Sequence, residues 1–205
     1  MTFLYLVPTG MNAPENPGWG SWAGRYGLQE SANDKPHYWA NQVDTWNGTS
    51  HRDNSLIRWA ADLQNDFRAR LDWCIKGKEE ANHRPIALLN GDAGLESFYI
   101  NAKAGTNLRL SAEGSTDPDG NQISYRWELY PEASRYTGKA RIADAGQKVA
   151  TLQVPSDTGE LHVILILHFQ SGWIRFDRRW MGSAGITDFP ESPPEQAGSN
   201  WSVMF

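Results

Sequence analysis

Turn signals recur about every ten residues through the second half of the chain, and this spacing limits the fold more than any other feature. They are Asn90-Gly91-Asp92, Ala104-Gly105, Asp117-Pro118-Asp119-Gly120, Thr137-Gly138, Ala145-Gly146, Pro155 to Gly159 and Ser171-Gly172. Only short strands fit between them, near 85–89, 97–102, 106–112, 122–130, 139–143, 147–154, 161–169 and 173–180. Seven or eight such strands predict two antiparallel sheets packed face to face. Within 122–130, Tyr125, Trp127 and Leu129 alternate with Arg126 and Glu128, which turns the first three inward. The longest apolar run, Val163 to Leu167, reads as a buried strand.

The first half follows a different pattern. Phe3 to Val7 reads as a short apolar strand, and a loop dense in Gly, Pro and Asn runs from there to about residue 50. Its aromatics argue against disorder. Six of the ten tryptophans lie in the first 75 residues: Trp19, Trp22, Trp39, Trp46, Trp59 and Trp73. A helix is predicted from about Asn54 to Ile75, where Leu56, Ala60, Leu63, Phe67, Leu71 and Cys74 step at helical period. That stripe is assigned to a buried face, which makes Cys74 an inert core thiol. Asp66 and Arg70, four residues apart, form a favourable pair. The first 50 residues offer little to cover such a helix, so 1–78 reads as the end of a larger α/β domain. Residues 82–180 carry the strands, and 181–205, with Pro190, Pro193 and Pro194, reads as a loose tail. The fold class expected is mainly β: an immunoglobulin-like β-sandwich, with Trp127 as its central Trp, preceded by a loop-rich segment and one long α-helix.

Charge and cysteine content narrow the function. A net charge of -5 argues against a nucleic-acid partner, which calls for a basic face. The single cysteine excludes an intrachain disulfide. No apolar run reaches the length of a membrane span. Phe3 to Val7 is too short for a signal peptide and lacks its basic flank.

Trp19, Trp22 and Tyr26 sit among glycines, where exposure is expected. Flat aromatic side chains stack on the apolar C–H faces of sugar rings, so these three are assigned to polysaccharide binding, with Arg25 and Asn16 as hydrogen-bond partners. The alternative is that the aromatics pack as core. Asp117, Asp119 and Asn121 place side-chain oxygens at alternate positions, as calcium loops begin. The alternative there is a turn in which Asp bonds its own backbone and Gly120 supplies a positive φ. Asp34, His37, Asp44, His51 and Asp53 include acids and bases without catalytic spacing. No phosphate loop, zinc spacing or nucleophile elbow occurs, and no catalytic residue is assigned.

Several stretches together resemble the C-terminal half of a family of bacterial cellulose-binding proteins. They are Phe3 to Pro8, Glu15 to Tyr26, Gln64 to Trp73, Ala81 to Pro85, Ser115 to Gly120, Tyr125-Arg126-Trp127 and Leu161 to Leu165. That family joins a nucleoside-hydrolase-like domain to an immunoglobulin-like C-terminal domain. The resemblance implies a non-catalytic carbohydrate-binding accessory module of a secreted, extracellular or periplasmic protein. It also implies an upstream hydrolase-like domain bearing an Asp-rich loop that this chain lacks. Two other readings are a portion of a nucleoside-hydrolase-like glycosidase and a structural spacer. The exposed apolar helix stripe of a half-domain would also favour a homodimer or aggregation.

Overall fold

The computed structural model describes residues 13–29, 38–95, 97, 99–169, 177–179 and 200–204. In chain order its strands are β1 Tyr26–Gln29, β2 Tyr38–Asn41, β3 Asp44–Trp46, β4 Thr49–His51, β5 Tyr99–Lys103, β6 Asn107–Ser111, β7 Ile123–Leu129, β8 Arg141–Ala143, β9 Val149–Gln153, β10 Gly159–Phe169, β11 Asp177–Arg179 and β12 Asn200–Met204. Helices α1 Asn54–Ile57 and α2 Ala60–Ile75 lie between β4 and β5. The chain is mainly β, and the strands after residue 97 fall close to their expected places. Residues 85–89 form only isolated bridges, Ile86 with Thr116 and Leu89 with Asp92. The strand expected at Phe3 to Val7 lies outside the described residues. Within the segment read as a loose tail, Asn200–Met204 is a strand, antiparallel to β5 and parallel to the start of β10.

β10 organises the whole arrangement. It runs antiparallel to β7 over Val163–Phe169 and also pairs with β11 and β12. Strands β6, β9 and β8 form a separate three-stranded sheet. Leu110 of β6, Leu152 of β9, Trp127 of β7 and Val163, Leu165 and Leu167 of β10 share one buried cluster. Tyr125 and Leu129 pack against it, as their alternation predicts. Ile164 and Ile166 point to the opposite face. There they join a second cluster with Trp22, Ala23, Trp59 and Tyr130. A strand covered on both faces reads as a continuous apolar run instead of an alternation. The run Val163 to Leu167 therefore reports that the Trp-rich first segment folds over the outer face of the sheet.

The expected single helix is broken and rotated. The break falls at Arg58 and Trp59, which both turn toward the sheet. The Arg58 guanidinium carbon lies 5.2, 4.7 and 4.4 Å from the ring centroids of Trp46, Trp59 and Tyr130. In α2 the buried residues are Asp66 and Ala69, whereas Phe67 and Leu71 are each 51% exposed. Phe67, Leu71 and Cys74 of the stripe assigned to the core thus lie on the outer face, while Leu63 packs against the second cluster, and Cys74 is an exposed thiol instead of a core one. Burying about 200 Å² of Trp59, at about 25 cal/mol per Å², is worth about 5 kcal/mol. That outweighs half-covered Phe67 and Leu71 and sets the rotation. The Asp66–Arg70 pair forms as expected, at 2.7 Å.

The stretch read as one long loop holds two ribbons, β1–β2 and β3–β4. Asn47 and Gly48 turn the second, with φ of 49° and 77°. Asn-Gly is the usual two-residue hairpin turn because both central positions need positive φ.

Candidate functional site

The β1–β2 ribbon builds an aromatic face. Its register sets Leu28 opposite Trp39 and Tyr26 opposite Asn41. Period two places Tyr26 and Leu28 on one face and Gly27 on the other. Gly27 faces a tightly packed side, where a Cβ would fall 2.5 Å from the Gln42 side chain. The aromatic face points outward, with Leu28 51% and Trp39 55% exposed. Pro14, Glu15 and Pro17 close a cleft of about 560 Å³ against Tyr26 and Trp39. That wall is held by backbone bonds from Asn16 N to the Ala13 carbonyl, 2.9 Å, and from Trp19 N to the Asn16 carbonyl, 3.0 Å. The Tyr26 hydroxyl donates to the Ala23 carbonyl at 2.8 Å, which fixes the ring.

Of the residues assigned from sequence, Tyr26 lines this cleft. Asn16 is half-buried in the wall just behind it. Trp22 is 1% exposed and belongs to the second core, so it offers no face to a sugar. The cause is local: Gly20, at φ 81°, lies so close to Tyr130 that a Cβ would fall 2.6 Å from its ring. That approach carries Trp22 inward. Trp19 is half-buried and packs edge-on to Tyr99 at 6.5 Å and beside His162 at 5.9 Å. Arg25 is committed to structure, with Nε 2.8 Å from Asp44 Oδ1 and a second bond to the Val43 carbonyl at 2.7 Å. Sequence reasoning missed Trp39 and Glu15 as cleft residues. Trp39 was visible as a tryptophan, but its exposure depends on pairing with Leu28 across a ribbon whose register no local motif gives.

Beneath the ribbon lies a buried charged cluster. Asp44 is fully buried. Its carboxylate takes Arg25, Arg58 at 3.6 Å and a hydrogen bond from the Tyr130 hydroxyl. Arg58 also reaches Glu128 of β7 at 3.6 Å. Burial, reinforced by the Asp44 charge, pushes the Tyr130 phenol far up, so it stays a donor. The cluster bolts the first segment to the end of β7.

The Asp117 turn has the geometry of the turn alternative. Asp117 Oδ1 accepts from Asp119 N, Asn121 N and Asn121 Nδ2, each at 3.0 Å. Asp119 pairs with His83 Nδ1 at 2.8 Å, and Gly120 has φ 75°. Among the described residues, no group of three or more His, Cys, Asp or Glu is placed to hold a metal ion. Among them also, no helix is long and apolar enough to cross a membrane.

A pH dependence arises at His162. Its ring is nearly buried, and burial lowers its pKa, opposed by the hydrogen bond to Glu160 at 3.3 Å. That bond is also the main cause of the lowered Glu160 pKa. Both shifts favour the deprotonated form on folding. Their stability is full above the ordinary imidazole value of 6.5 and is lost as pH falls through the lowered folded values. The melting temperature is expected to fall between about pH 7 and 5, and His162→Gln to flatten the upper part of that fall. Thermal melts across pH check this; an unchanged profile in the variant would remove His162 from the account.

A search of curated proteins finds no match. The family model described as the C-terminal domain of the cellulose-binding protein Sde0182 matches residues 107–171, which run from β6 through β10. The aromatic cleft lies before that match. A solved structure of a nucleoside hydrolase-related hypothetical protein from Saccharophagus degradans, associated with carbohydrate metabolism, is similar with a TM-score of 0.68 and 26% identity. The match covers 95% of this chain and 44% of that one, so the chain spans less than half of that relative's length. Residues 107–171 are thus similar to the C-terminal domain of a cellulose-binding protein, and nearly the whole chain is similar in structure to part of a nucleoside hydrolase-related protein.

Proposed function

We propose that the chain is a non-catalytic carbohydrate-binding module of a secreted, extracellular or periplasmic protein, and that it takes cellulose or a related polysaccharide on the Tyr26–Trp39 cleft. The outward aromatic face of the β1–β2 ribbon carries this reading. Similarity to a cellulose-binding family supports it. The two sheets are read as an immunoglobulin-like sandwich that serves as a rigid base for the ribbon. A sugar ring covering about 80 Å² of the exposed Trp39 face, at about 25 cal/mol per Å², contributes about 2 kcal/mol. Trp39→Ala is therefore expected to weaken retention on insoluble cellulose about thirtyfold with the melting temperature unchanged. A depletion isotherm measures this; full retention by the variant would remove the cleft from the binding site.

A second reading is that the chain is part of a nucleoside-hydrolase-like glycosidase, with the catalytic Asp-rich loop elsewhere in a longer protein. It is favoured by the nucleoside hydrolase-related neighbour, of which the match covers 44%. Residues 1–78 would then complete an α/β domain, and the exposed α2 face of Phe67, Leu71 and Ile75 would pack against the rest of it. Ribonucleoside hydrolysis by the longer protein, with no polysaccharide retention by this chain, would select that reading.

A further inference from the structure

The cleft also carries a basis for choosing among sugars, and this inference rests on the carbohydrate reading above. Among its described lining residues, Pro14, Pro17, Tyr26 and Trp39 present apolar faces, and the remaining one is the exposed Glu15. The Tyr26 hydroxyl is already bonded to the Ala23 carbonyl. Arg25, the adjacent cation in sequence, is turned away to Asp44 and the Val43 carbonyl. The charged group left facing a bound sugar is a carboxylate, which accepts hydrogen bonds and donates none. Sugar hydroxyls supply the donors it needs, and a bond to an ionised acceptor is stronger than one between neutral groups. A carboxylate on the sugar would meet like charge with no cation between them among the described lining residues. We propose that Glu15 is a specificity-determining residue that makes the cleft select neutral polysaccharides over polyuronates.

The test compares the whole chain, Glu15→Gln and Trp39→Ala in affinity electrophoresis against soluble hydroxyethyl cellulose and polygalacturonate at low and high salt. The wild type is expected to bind the neutral polymer at least tenfold more tightly at low salt, with the gap narrowing as salt screens the repulsion. Glu15→Gln is expected to close most of that gap, chiefly by gaining polygalacturonate. The chain's net charge of -5 disfavours polyanions in general. The variant changes one charge of that total, so a large effect marks a local contact. An unchanged gap in Glu15→Gln, or equal wild-type binding of both polymers, overturns the role of Glu15 while the loss in Trp39→Ala still upholds the cleft. Absence of wild-type binding to either polymer overturns the carbohydrate reading itself, and the role of Glu15 with it.

Discussion

Asp44→Ala is expected to lower the unfolding free energy by about 3–5 kcal/mol, the range for removing one partner of a buried ion pair. Asp44 has no exposed surface. Its carboxylate is the common partner of Arg25, Arg58 and the Tyr130 hydroxyl. Without it, a guanidinium enclosed by Trp46, Trp59 and Tyr130 retains, among the described residues, Glu128 as its acid partner, at 3.6 Å. The Tyr130 phenol also loses its acceptor inside the second core. Asp44→Asn keeps the size and one acceptor oxygen and should lose less. Urea unfolding followed by tryptophan fluorescence measures both variants. A loss below about 1 kcal/mol for alanine would match an exposed pair and would mean that water reaches these charges.

Trp22→Ala should be comparably severe, about 3–5 kcal/mol, as for large aromatic truncations in cores. Trp22 is 1% exposed and packs with Trp59, Tyr130, Ile164 and Ile166. Neither half of the chain can collapse easily into the space left, because β10 is held from its other face by Val163, Leu165 and Leu167. Denaturant titration gives the stability, and a depletion isotherm run well below the unfolding midpoint gives the binding. The folded fraction of Trp22→Ala should retain polysaccharide normally, the reverse of the pattern expected for Trp39→Ala. Lost binding by a fully folded Trp22→Ala would return Trp22 to the ligand site.

The second half of the chain was legible because its information is local. Asp117-Pro118-Asp119-Gly120 and Ala145-Gly146 mark their own turns, and the alternation around Trp127 marks its own face. The first half was harder because Trp22 and Trp39 look alike in sequence. What separates them is distant: Trp22 packs with Tyr130 and Ile164 in the second core, whereas Trp39 stands opposite Leu28 in a short ribbon and lines the open cleft. The rotation of α2 was lost for the same reason. Its apolar stripe was read correctly as a pattern, but Arg58 and Trp59 anchor the helix to Asp44 and Tyr130 by its other side. The β3–β4 hairpin was available locally, since Asn47-Gly48 is a turn signature.

β10 serves two cores at once, and this joins segments that sequence alone would divide at the polar linker near residue 80. Ile164 and Ile166 share their buried cluster with Trp22 and Trp59 of the Trp-rich segment, and among the described residues these two tryptophans have no other buried apolar cluster to join. Opening either side strips one face of a strand that forms the floor of the other. The two halves should therefore melt as a single cooperative unit, and the linker marks a change of architecture without marking a boundary of folding.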